Sequence, residues 1–525
     1  MDMHKAWYKM PPELINWIID FLNLQEYARM DTALTANKKL KEKWAQMYKQ
    51  NKIQAKNLFE GLYHNIPSLR WVLQIKNIKL SEINMTFPKL PNPHHITEFA
   101  LMCRHGEYDI VKACVNNGNG IVNGKPLDVN EVMNVNRIHG GTDGATALHF
   151  AVMFGHINIS QLLLDNGANI NTKNEDGQTC LILAARYRQL PMIKFLLSYK
   201  NCNPNLYDYK GLTASHWAAV KGYTKILKCL CENDDIDIEA SCDNGNTSLI
   251  YACENGNIDC VKLLCKQPIA CNVNIKNVDN YSAFTIACFN KHLEIIKYFT
   301  EDISMISLKI VTKHINDVRG VPITGYPGQL FNYTILMECC SYCDVLYVPV
   351  IQYLCSTYEK TGIDVDYQAE DGKNALMLAV KFSFDATKAI VDANAFLEDE
   401  DQNHFTPLML AIEQNNSKIV ELLLENDCDV NKKTGDNNDT ALLIAIGNGC
   451  DKESLEIIDI LCDYYANYNE KPIDGSTPLI KSSRMGNWQI IEKLFNASEN
   501  DCCEPPRGNL NVNDIDNDKN TALIY

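Results

Sequence analysis

Apolar residues follow most of this chain at the spacing of short amphipathic helices, and turns rich in glycine and asparagine separate them. Residues 144–171 give the clearest example, GATALHFAVMFGHINISQLLLDNGANIN. The apolar positions from Leu148 predict one helix, Gly155 predicts its end, and the leucines at 162–164 predict a second helix. The stretch therefore indicates a turn, a helix, a second turn and a second helix.

The same pattern recurs along the chain at a nearly constant interval. A threonine, or a residue in its place, precedes each first helix with spacings of 33, 34, 34 and 35 residues and, after a gap of 52, of 40, 32, 34, 37 and 44. A side chain there can cap the helix by accepting a hydrogen bond from a first-turn amide, which contributes about 1 kcal/mol. With an earlier copy at Thr97, we predict about twelve units, at Thr146, Thr179, Thr213, Thr247, Ser282, Thr334, Asn374, Thr406, Thr440, Thr477 and Thr521.

These units resemble the ankyrin repeat, whose pattern is G-x-T-P-L-H-x-A-A-x-x-G-H…L-L…G-A-x-V-N and whose period is about 33 residues. The resemblance implies an all-α solenoid of helix–turn–helix units with short hairpin-like turns, in which each unit buries its apolar face on its neighbours. We expect repeats over residues 94–302, with an insertion at about 119–141, and over residues 331–525. Residues 303–330 are expected to be an insertion or a degenerate unit. Because the last unit stops partway, we expect the sequence to be incomplete, with cover from another chain as the alternative.

The first 50 residues follow a different pattern. Pro11 and Pro12 suit the start of a helix, and apolar residues then recur at helical spacing before a second amphipathic stretch. This segment resembles the F-box, whose pattern is roughly L-P-x-E-[LI]-[LI]-x-x-I-[LF]-x-[FY]-L. It departs from that pattern at Met10, where leucine is usual, and the family's Cys-[KR]-x-Trp ending is reduced to residues 37–39 and a late Trp44.

The F-box resemblance implies a small helical domain over residues 1–50 that binds a Skp-type adaptor and, through it, a cullin. The residues that would contact the adaptor are Pro12, Leu14, Ile15, Ile18, Phe21 and Leu22. The alternative is a helical cap that closes the repeat stack. Residues 51–93 are expected to form a helical linker or the N-terminal cap.

Composition narrows the classes of partner. Acidic residues outnumber basic ones by 65 to 49, which gives a net charge of −16 and disfavours nucleic acid and anionic membrane surfaces. The sequence contains neither a signal peptide nor an apolar run of membrane-spanning length, so we expect an intracellular, cytoplasmic protein, with the nucleus not excluded. The 21 cysteines are then expected to be reduced thiols, many of them packed as small apolar residues.

Candidate chemistry is sparse. Cys340 and Cys343 form one Cys-x-x-Cys pair without a second pair at zinc-finger spacing, so we expect packed cysteines and no metal. His149 and His216 occupy the T-x-L-H position of the repeat, where a structural role is expected. We therefore predict no cofactor and no enzymatic activity. Asn431 lies in an L-x(4)-D-V-N context that resembles sites of asparagine hydroxylation in ankyrin repeats, although a turn-stabilising role accounts for the residue without any modification.

Two functions are consistent with these patterns. The first is a substrate-recruiting subunit of a cullin–RING (SCF-type) ubiquitin ligase, in which the F-box binds the adaptor and the ankyrin face binds a protein target. The second is a non-enzymatic scaffold or sequestering protein. In either case large side chains at the turn tips are the candidates for target binding, with packing on the next repeat as the alternative role, and they are Tyr207, Tyr209, Tyr281, His404 and Phe405.

Overall fold

The computed structural model describes residues 98–116, 144–266, 268–302, 319–322, 330–342, 344–435, 437–499 and 510–525, together with short segments at 86–87, 121–122, 125–126 and 129–130. The F-box-like segment predicted for residues 1–50 lies outside the described residues. So do residues 51–93 apart from strand β1 (Thr86–Phe87). The chain divides into two compact bodies, an N-terminal body ending at Asp243 and a C-terminal body beginning at Asn244.

The described residues form eleven consecutive helix pairs. The first helices are α1 (Glu98–His105), α3 (Ala147–Met153), α5 (Cys180–Arg186), α7 (Ala214–Val220), α9 (Ser248–Glu254), α11 (Ala283–Phe289), α13 (Ile335–Ser341), α16 (Ala375–Val380), α18 (Pro407–Glu413), α20 (Ala441–Asn448) and α22 (Pro478–Arg484). The second helices are α2 (Tyr108–Asn116), α4 (Ile157–Asp165), α6 (Leu190–Leu197), α8 (Thr224–Cys231), α10 (Ile258–Cys265), α12 (Leu293–Lys297), α14 (Val348–Ser356, followed by the short α15, Tyr358–Thr361), α17 (Phe384–Asp392), α19 (Ser417–Glu425), α21 (Lys452–Asp463) and α23 (Trp488–Glu499).

Within each body the helices form two layers. First helices pack on the first helices of neighbouring repeats, and second helices pack on second helices. Leu148 and Ala151 of α3 and Leu163 of α4 are completely buried between the layers. A repeat therefore buries its apolar residues only by stacking on its neighbours, as the periodic pattern predicts.

The helix starts and stops follow from the recurring polar and glycine positions. Thr179 is the N-cap of α5, and its Oγ1 accepts a hydrogen bond from the backbone N–H of Ile182. Gly155 adopts a φ of 77° after α3, a left-handed conformation that glycine reaches without a steric penalty. The backbone N–H of the next residue, His156, then donates to the carbonyl of Ala151 and closes the turn into α4.

Strands are few and short in the described part of the chain. β1 pairs in parallel with β2 (Ile121–Val122), which pairs antiparallel with β3 (Lys125–Pro126). In the C-terminal body β4 (Arg319–Pro322) and β5 (Leu330–Tyr333) form an antiparallel hairpin that leads directly into α13.

The stack of the C-terminal body continues across the gap of 52 residues in the repeat ladder. α12 ends in a π-helical turn, Tyr298–Asp302, and the next described segment is β4. The hydroxyl of Tyr347 donates to the carbonyl of Phe289 at 2.8 Å, and the hydroxyl of Tyr353 donates to Glu301 Oε1 at 2.9 Å. The helix pairs before and after residues 303–330 therefore pack directly on each other.

Buried cysteines take the place of small apolar residues in the core. Cys180, Cys253, Cys260 and Cys288 have no exposed surface. Burial raises the pKa of the Cys180 and Cys253 thiols, which keeps them protonated and weakly nucleophilic. In the part of the chain that the structure describes, no three His, Cys, Asp or Glu side chains come together as a metal ion would require. None of the helices described there is long and apolar enough to cross a membrane.

Candidate functional site

The hairpins before α5, α7, α16 and α18 each have a buried polar side chain at the base, namely Asn174, Asp208, Asp371 and Asp401. In the hairpin before α7 this residue is Asp208, which is 3% exposed. Its Oδ1 accepts hydrogen bonds from the backbone N–H groups of Lys210 and Leu212 at 2.9 and 3.0 Å. Its Oδ2 accepts from the indole Nε1 of Trp217, on the first helix, at 3.0 Å. One carboxylate thus fixes both the shape of the hairpin and its position on the helix layer.

Successive hairpins are joined through their backbones. The N–H of Tyr209 donates to the carbonyl of Asp176 in the preceding hairpin at 3.0 Å. In the C-terminal body the N–H of Gln402 donates to the carbonyl of Asp371 at 3.1 Å in the same way. The tips of neighbouring hairpins are therefore held side by side, and side chains on successive tips form a continuous surface in each body.

Tyr207 and Tyr209 lie close together on one hairpin of the N-terminal body. They are 55% and 69% exposed. The Nζ of Lys173, on the preceding hairpin, lies 4.7 Å from the centroid of the Tyr207 ring. The Tyr209 ring covers Gly177, where a Cβ atom would lie 2.9 Å from its Cδ1. Both rings are oriented by the preceding repeat and still offer a large area to a partner.

The other three predicted tip residues lie on two hairpins of the C-terminal body, Tyr281 on one and His404 and Phe405 on the other. Tyr281 and Phe405 are half-buried. The ring of Tyr281 lies 5.4 Å from that of Phe289, and its hydroxyl donates to Glu338 Oε2 at 3.4 Å. His404 is exposed, and its Nδ1 lies 3.0 Å from Glu400 Oε2. Much of the Tyr281 side chain is therefore used in packing. Packing on the next repeat is the alternative role that the sequence left open for the tip residues.

Asn431 belongs to a set of asparagines that join the loop after one second helix to the corresponding loop of the next repeat. Its Nδ2 donates to the carbonyl of Tyr465 at 3.1 Å, and its Oδ1 accepts from the N–H of Asn467 at 2.8 Å. Asn171 and Asn205 make the same two bonds in the N-terminal body. This geometry accounts for the residue without modification. Hydroxylation of Asn431 stays a prediction, which a mass increase of one oxygen atom on its peptide would test.

His149 is a structural residue at the start of α3. Its Nδ1 accepts a 2.9 Å hydrogen bond from the backbone N–H of Thr146, so the proton of the neutral ring is on Nε2, which donates to the carbonyl of Thr172 at 3.0 Å. His216 accepts in the same way from Thr213. Complete burial lowers the pKa of His149 to about 4. The ring is therefore neutral at pH 7 and joins a helix start to the next hairpin.

A set of arginine and aromatic side chains in the C-terminal halves of the first helices and in the turns that follow was not predicted from the sequence. Arginine is scarce in this chain, with nine residues in all, yet three of them lie in this part of the N-terminal body. The guanidinium Cζ of Arg186 lies 4.9 Å from the centroid of the Trp217 ring. We call this set the guanidinium–aromatic row, and its members are Arg104, Phe154, Arg186, Tyr187, Arg188, Trp217 and Tyr223.

A family model described as "Ankyrin repeats (3 copies)" matches residues 90–174, 170–242, 235–307, 336–434 and 385–472. Together these overlapping matches cover well over half of the chain. They coincide with the stacked helix pairs and confirm the predicted ankyrin repeats and the mostly helical fold. The F-box-like segment lies outside these matches and stays a prediction.

Three curated relatives match parts of the chain. The E3 ubiquitin-protein ligase XBAT33 of Arabidopsis thaliana is 40% identical over 103 residues, 19% of this chain and 20% of the relative. The mouse serine/threonine-protein kinase TNNI3K is 34% identical over 123 residues, 21% of this chain and 14% of the relative. The Saccharomyces cerevisiae protein named "Probable 26S proteasome regulatory subunit p28" is 28% identical over 153 residues, 29% of this chain and 60% of the relative. The chain spans less than two thirds of each relative, and their names describe different activities, so the similarity assigns no single one.

Proposed function

Because the chain belongs to the ankyrin-repeat family, whose repeats bind protein partners, we propose that it is the substrate-recruiting subunit of a cullin–RING (SCF-type) ubiquitin ligase. The observation that carries this proposal is the F-box-like pattern of residues 12–22, which precedes the repeat stack in the chain. A relative named as an E3 ubiquitin-protein ligase supports the link to ubiquitin without specifying the type of ligase. The chain itself does no chemistry in this proposal, since the cullin-bound partners supply catalysis.

The two ends of the chain have separate roles in this function. An apolar surface formed by Pro12, Leu14, Ile15, Ile18, Phe21 and Leu22 binds a Skp-type adaptor in the cytoplasm or nucleus. The hairpin tips hold the target protein. Tyr207 and Tyr209 are the strongest target-binding candidates, because they are exposed and their rings are already oriented by the preceding repeat.

Co-purification of the full chain with a Skp-type adaptor tests the adaptor role. The double variant Ile15→Asp/Ile18→Asp is expected to lose the adaptor while its circular dichroism and unfolding midpoint stay unchanged. Asn16→Asp is the matched control, since it adds a charge to the same predicted helix at a polar position. Adaptor binding by the double variant equal to that of the unmodified chain would refute the F-box role. Absence of adaptor binding by the unmodified chain would favour the scaffold function instead.

Binding of an identified target tests the role of the tips. Tyr207→Ala/Tyr209→Ala is expected to weaken target binding by at least tenfold with little change in stability, because large exposed aromatic side chains dominate many interfaces. Adding Tyr281→Ala, His404→Ala and Phe405→Ala covers all five predicted tip residues. If the variant with all five substitutions binds the target with unchanged affinity, the tips are not part of the target-binding surface.

A further inference from the structure

We propose that the guanidinium–aromatic row binds an acidic, extended segment of the target protein. This inference rests on the proposed function in that it names the chemistry of the recruited target. The row differs from the hairpin tips, because its members are carried by the first helices and by the turns to the second helices. Arg186 and Trp217 reach back only to the bases of the hairpins, where they bond Gln178 and Asp208.

The row runs across four consecutive repeats of the N-terminal body. The guanidinium Cζ of Arg104 lies 5.1 Å from the centroid of the Phe154 ring in the next repeat, and that of Arg188 lies 5.5 Å from the centroid of Tyr223. Neighbouring packed helices lie about 8–10 Å apart, so four repeats span roughly 30 Å. An extended peptide rises about 3.3 Å per residue, so a bound segment of about nine residues would span the row.

The charge of the row is opposite to that of the whole chain. The helix ends and turns that carry it contain Arg104, Arg186, Arg188 and Lys221, and the one carboxylate in these stretches, Glu107, is buried. The carboxylate of Asp208, which accepts from Trp217, is buried as well. Among the described residues, the ion pairs of the structure involve none of the three arginines. Anionic side chains of a partner would therefore meet a positive local surface on a protein whose net charge is −16.

The side chains of the row are prepared for binding. Arg186 donates to Gln178 Oε1 at 3.1 Å and lies against Trp217, so one guanidinium is held in place before a partner arrives. Phe154 is 44% exposed, and Tyr187 and Arg188 are also exposed. Aromatic rings supply apolar area, and guanidinium groups can pair with carboxylates through two parallel hydrogen bonds. The combination favours a segment in which acidic and apolar residues alternate.

The row fits the carboxylates of a peptide better than it fits phosphate groups. The backbone N–H groups of the described turns at Gly155, Arg188 and Gly222 donate to carbonyls of the chain itself, and the arginines are spread along a line instead of meeting at one point. A line of cations alternating with rings matches a chain of acidic and apolar side chains.

The test uses the full chain alone and an array of 12-residue peptides. Each peptide carries apolar residues at fixed positions and exists in three versions, with Glu, Gln or Lys at the same four intervening positions. The Glu versions are expected to be retained at least tenfold better than the Gln versions, and the Lys versions are expected to be rejected. Equal retention of the Glu and Gln versions would overturn the proposal.

Variants locate the binding on the row. Arg104→Gln/Arg188→Gln is expected to reduce retention of the Glu peptides about tenfold, and Arg186 is left in place because it supports Gln178. Lys194→Gln/Lys225→Gln removes the same charge from exposed positions of the second-helix layer and is expected to change retention less than twofold. Equal losses in the two double variants would show a nonspecific charge effect and overturn the proposal.

The same array separates this inference from the adaptor role. Ile15→Asp/Ile18→Asp is expected to leave peptide retention unchanged, because the row lies in the repeats. Absence of adaptor binding by the unmodified chain, with intact selectivity for Glu peptides, would reject the F-box and keep the row. Intact adaptor binding without such selectivity would reject the row and keep the F-box.

Discussion

The indole Nε1 of Trp217 donates a 3.0 Å hydrogen bond to Oδ2 of Asp208, nine residues earlier and at the base of the preceding hairpin. An equivalent pair occurs in the C-terminal body, where the hydroxyl of Tyr525 donates to Oδ2 of Asp516 at 2.9 Å. In both cases Oδ1 accepts two backbone N–H groups of the hairpin. In each pair an aromatic donor nine residues after the carboxylate thus completes the hydrogen bonding of a buried group that shapes the hairpin.

Asp208→Ala is expected to loosen the hairpin that carries Tyr209. The substitution leaves the backbone N–H groups of Lys210 and Leu212 and the indole N–H of Trp217 without their acceptor. Losing the partner of buried donors costs about 1–3 kcal/mol. We expect a loss of stability of at least that size in denaturant unfolding, together with faster hydrogen exchange in α7.

Asp234→Ala is the matched control for Asp208→Ala. Asp234 is an exposed carboxylate in the same body, and its removal is expected to change the free energy of unfolding by less than about 0.5 kcal/mol. Similar stabilities of the two variants would show that the bonds of the Asp208 carboxylate do not hold the hairpin.

Gly177→Ala is expected to be more destabilising than an alanine at another left-handed glycine. Gly177 has a φ of 77°, and a Cβ there would lie 2.7 Å from the backbone N of Tyr209. Gly167 has a φ of 89° and no heavy atom within 4 Å of its Cβ position. Gly167→Ala therefore measures the conformational cost alone, about 1–2 kcal/mol. Denaturant unfolding of both variants is expected to show a larger loss for Gly177→Ala, and equal losses would contradict the close approach of the two hairpins.

The sequence predicted the repeats because their signal is local and repeated. The threonine caps, the helix-stopping glycines and the apolar periodicity each act within a few residues, and the family match confirms the ankyrin repeats. The position of Tyr207 and Tyr209 at a tip also follows from the repeat pattern, while their role in target binding stays a prediction. Their exposure could be stated only once the packing of neighbouring hairpins was known.

The guanidinium–aromatic row could not be predicted in the same way. The arginine and the ring that meet between repeats are 31, 35 and 50 residues apart in sequence, and they come together only through the stacking of repeats. Arg186 and Trp217 each occupy an unremarkable helical position when considered alone. The sequence does concentrate three of its nine arginines near the ends of first helices. Aligning the repeats with one another would have shown that these arginines and the aromatic residues fall at neighbouring repeat positions.

Asn205→Ala is expected to weaken the connection between two repeats of the N-terminal body. The Nδ2 of Asn205 donates to the carbonyl of Asp235 at 2.7 Å, and its Oδ1 accepts from the N–H of Asp237 at 2.9 Å. Two such bonds contribute about 1–2 kcal/mol in total at a partly exposed site. Hydrogen exchange at the N–H of Asp237 is expected to accelerate. Asn158→Ala, at an exposed position of α4, is expected to leave that exchange unchanged, and an equal effect of both variants would exclude the bridging role.

Protonation of His149 is expected to destabilise the N-terminal body in mild acid. Burial lowers the pKa of His149 from 6.5 to about 4, because a charged ring would be desolvated and Nδ1 would no longer accept from Thr146. The native state therefore binds fewer protons than the unfolded chain between these pH values. The contribution of His149 to stability is complete above pH 6.5 and is lost progressively as the pH falls towards 4. The total loss from this one group is on the order of 3 kcal/mol.

Denaturant unfolding at pH 7 and pH 4.5 measures this effect. A glutamine side chain can accept a hydrogen bond from the N–H of Thr146 and donate one to the carbonyl of Thr172, but it does not titrate. The variant His149→Gln is therefore expected to lose clearly less stability between the two pH values than the unmodified chain. His105→Gln is the matched control, because His105 is exposed and its replacement is expected to leave most of the acid-dependent loss in place. An identical pH dependence in the unmodified chain and His149→Gln would mean that protonation of this ring does not contribute to acid unfolding.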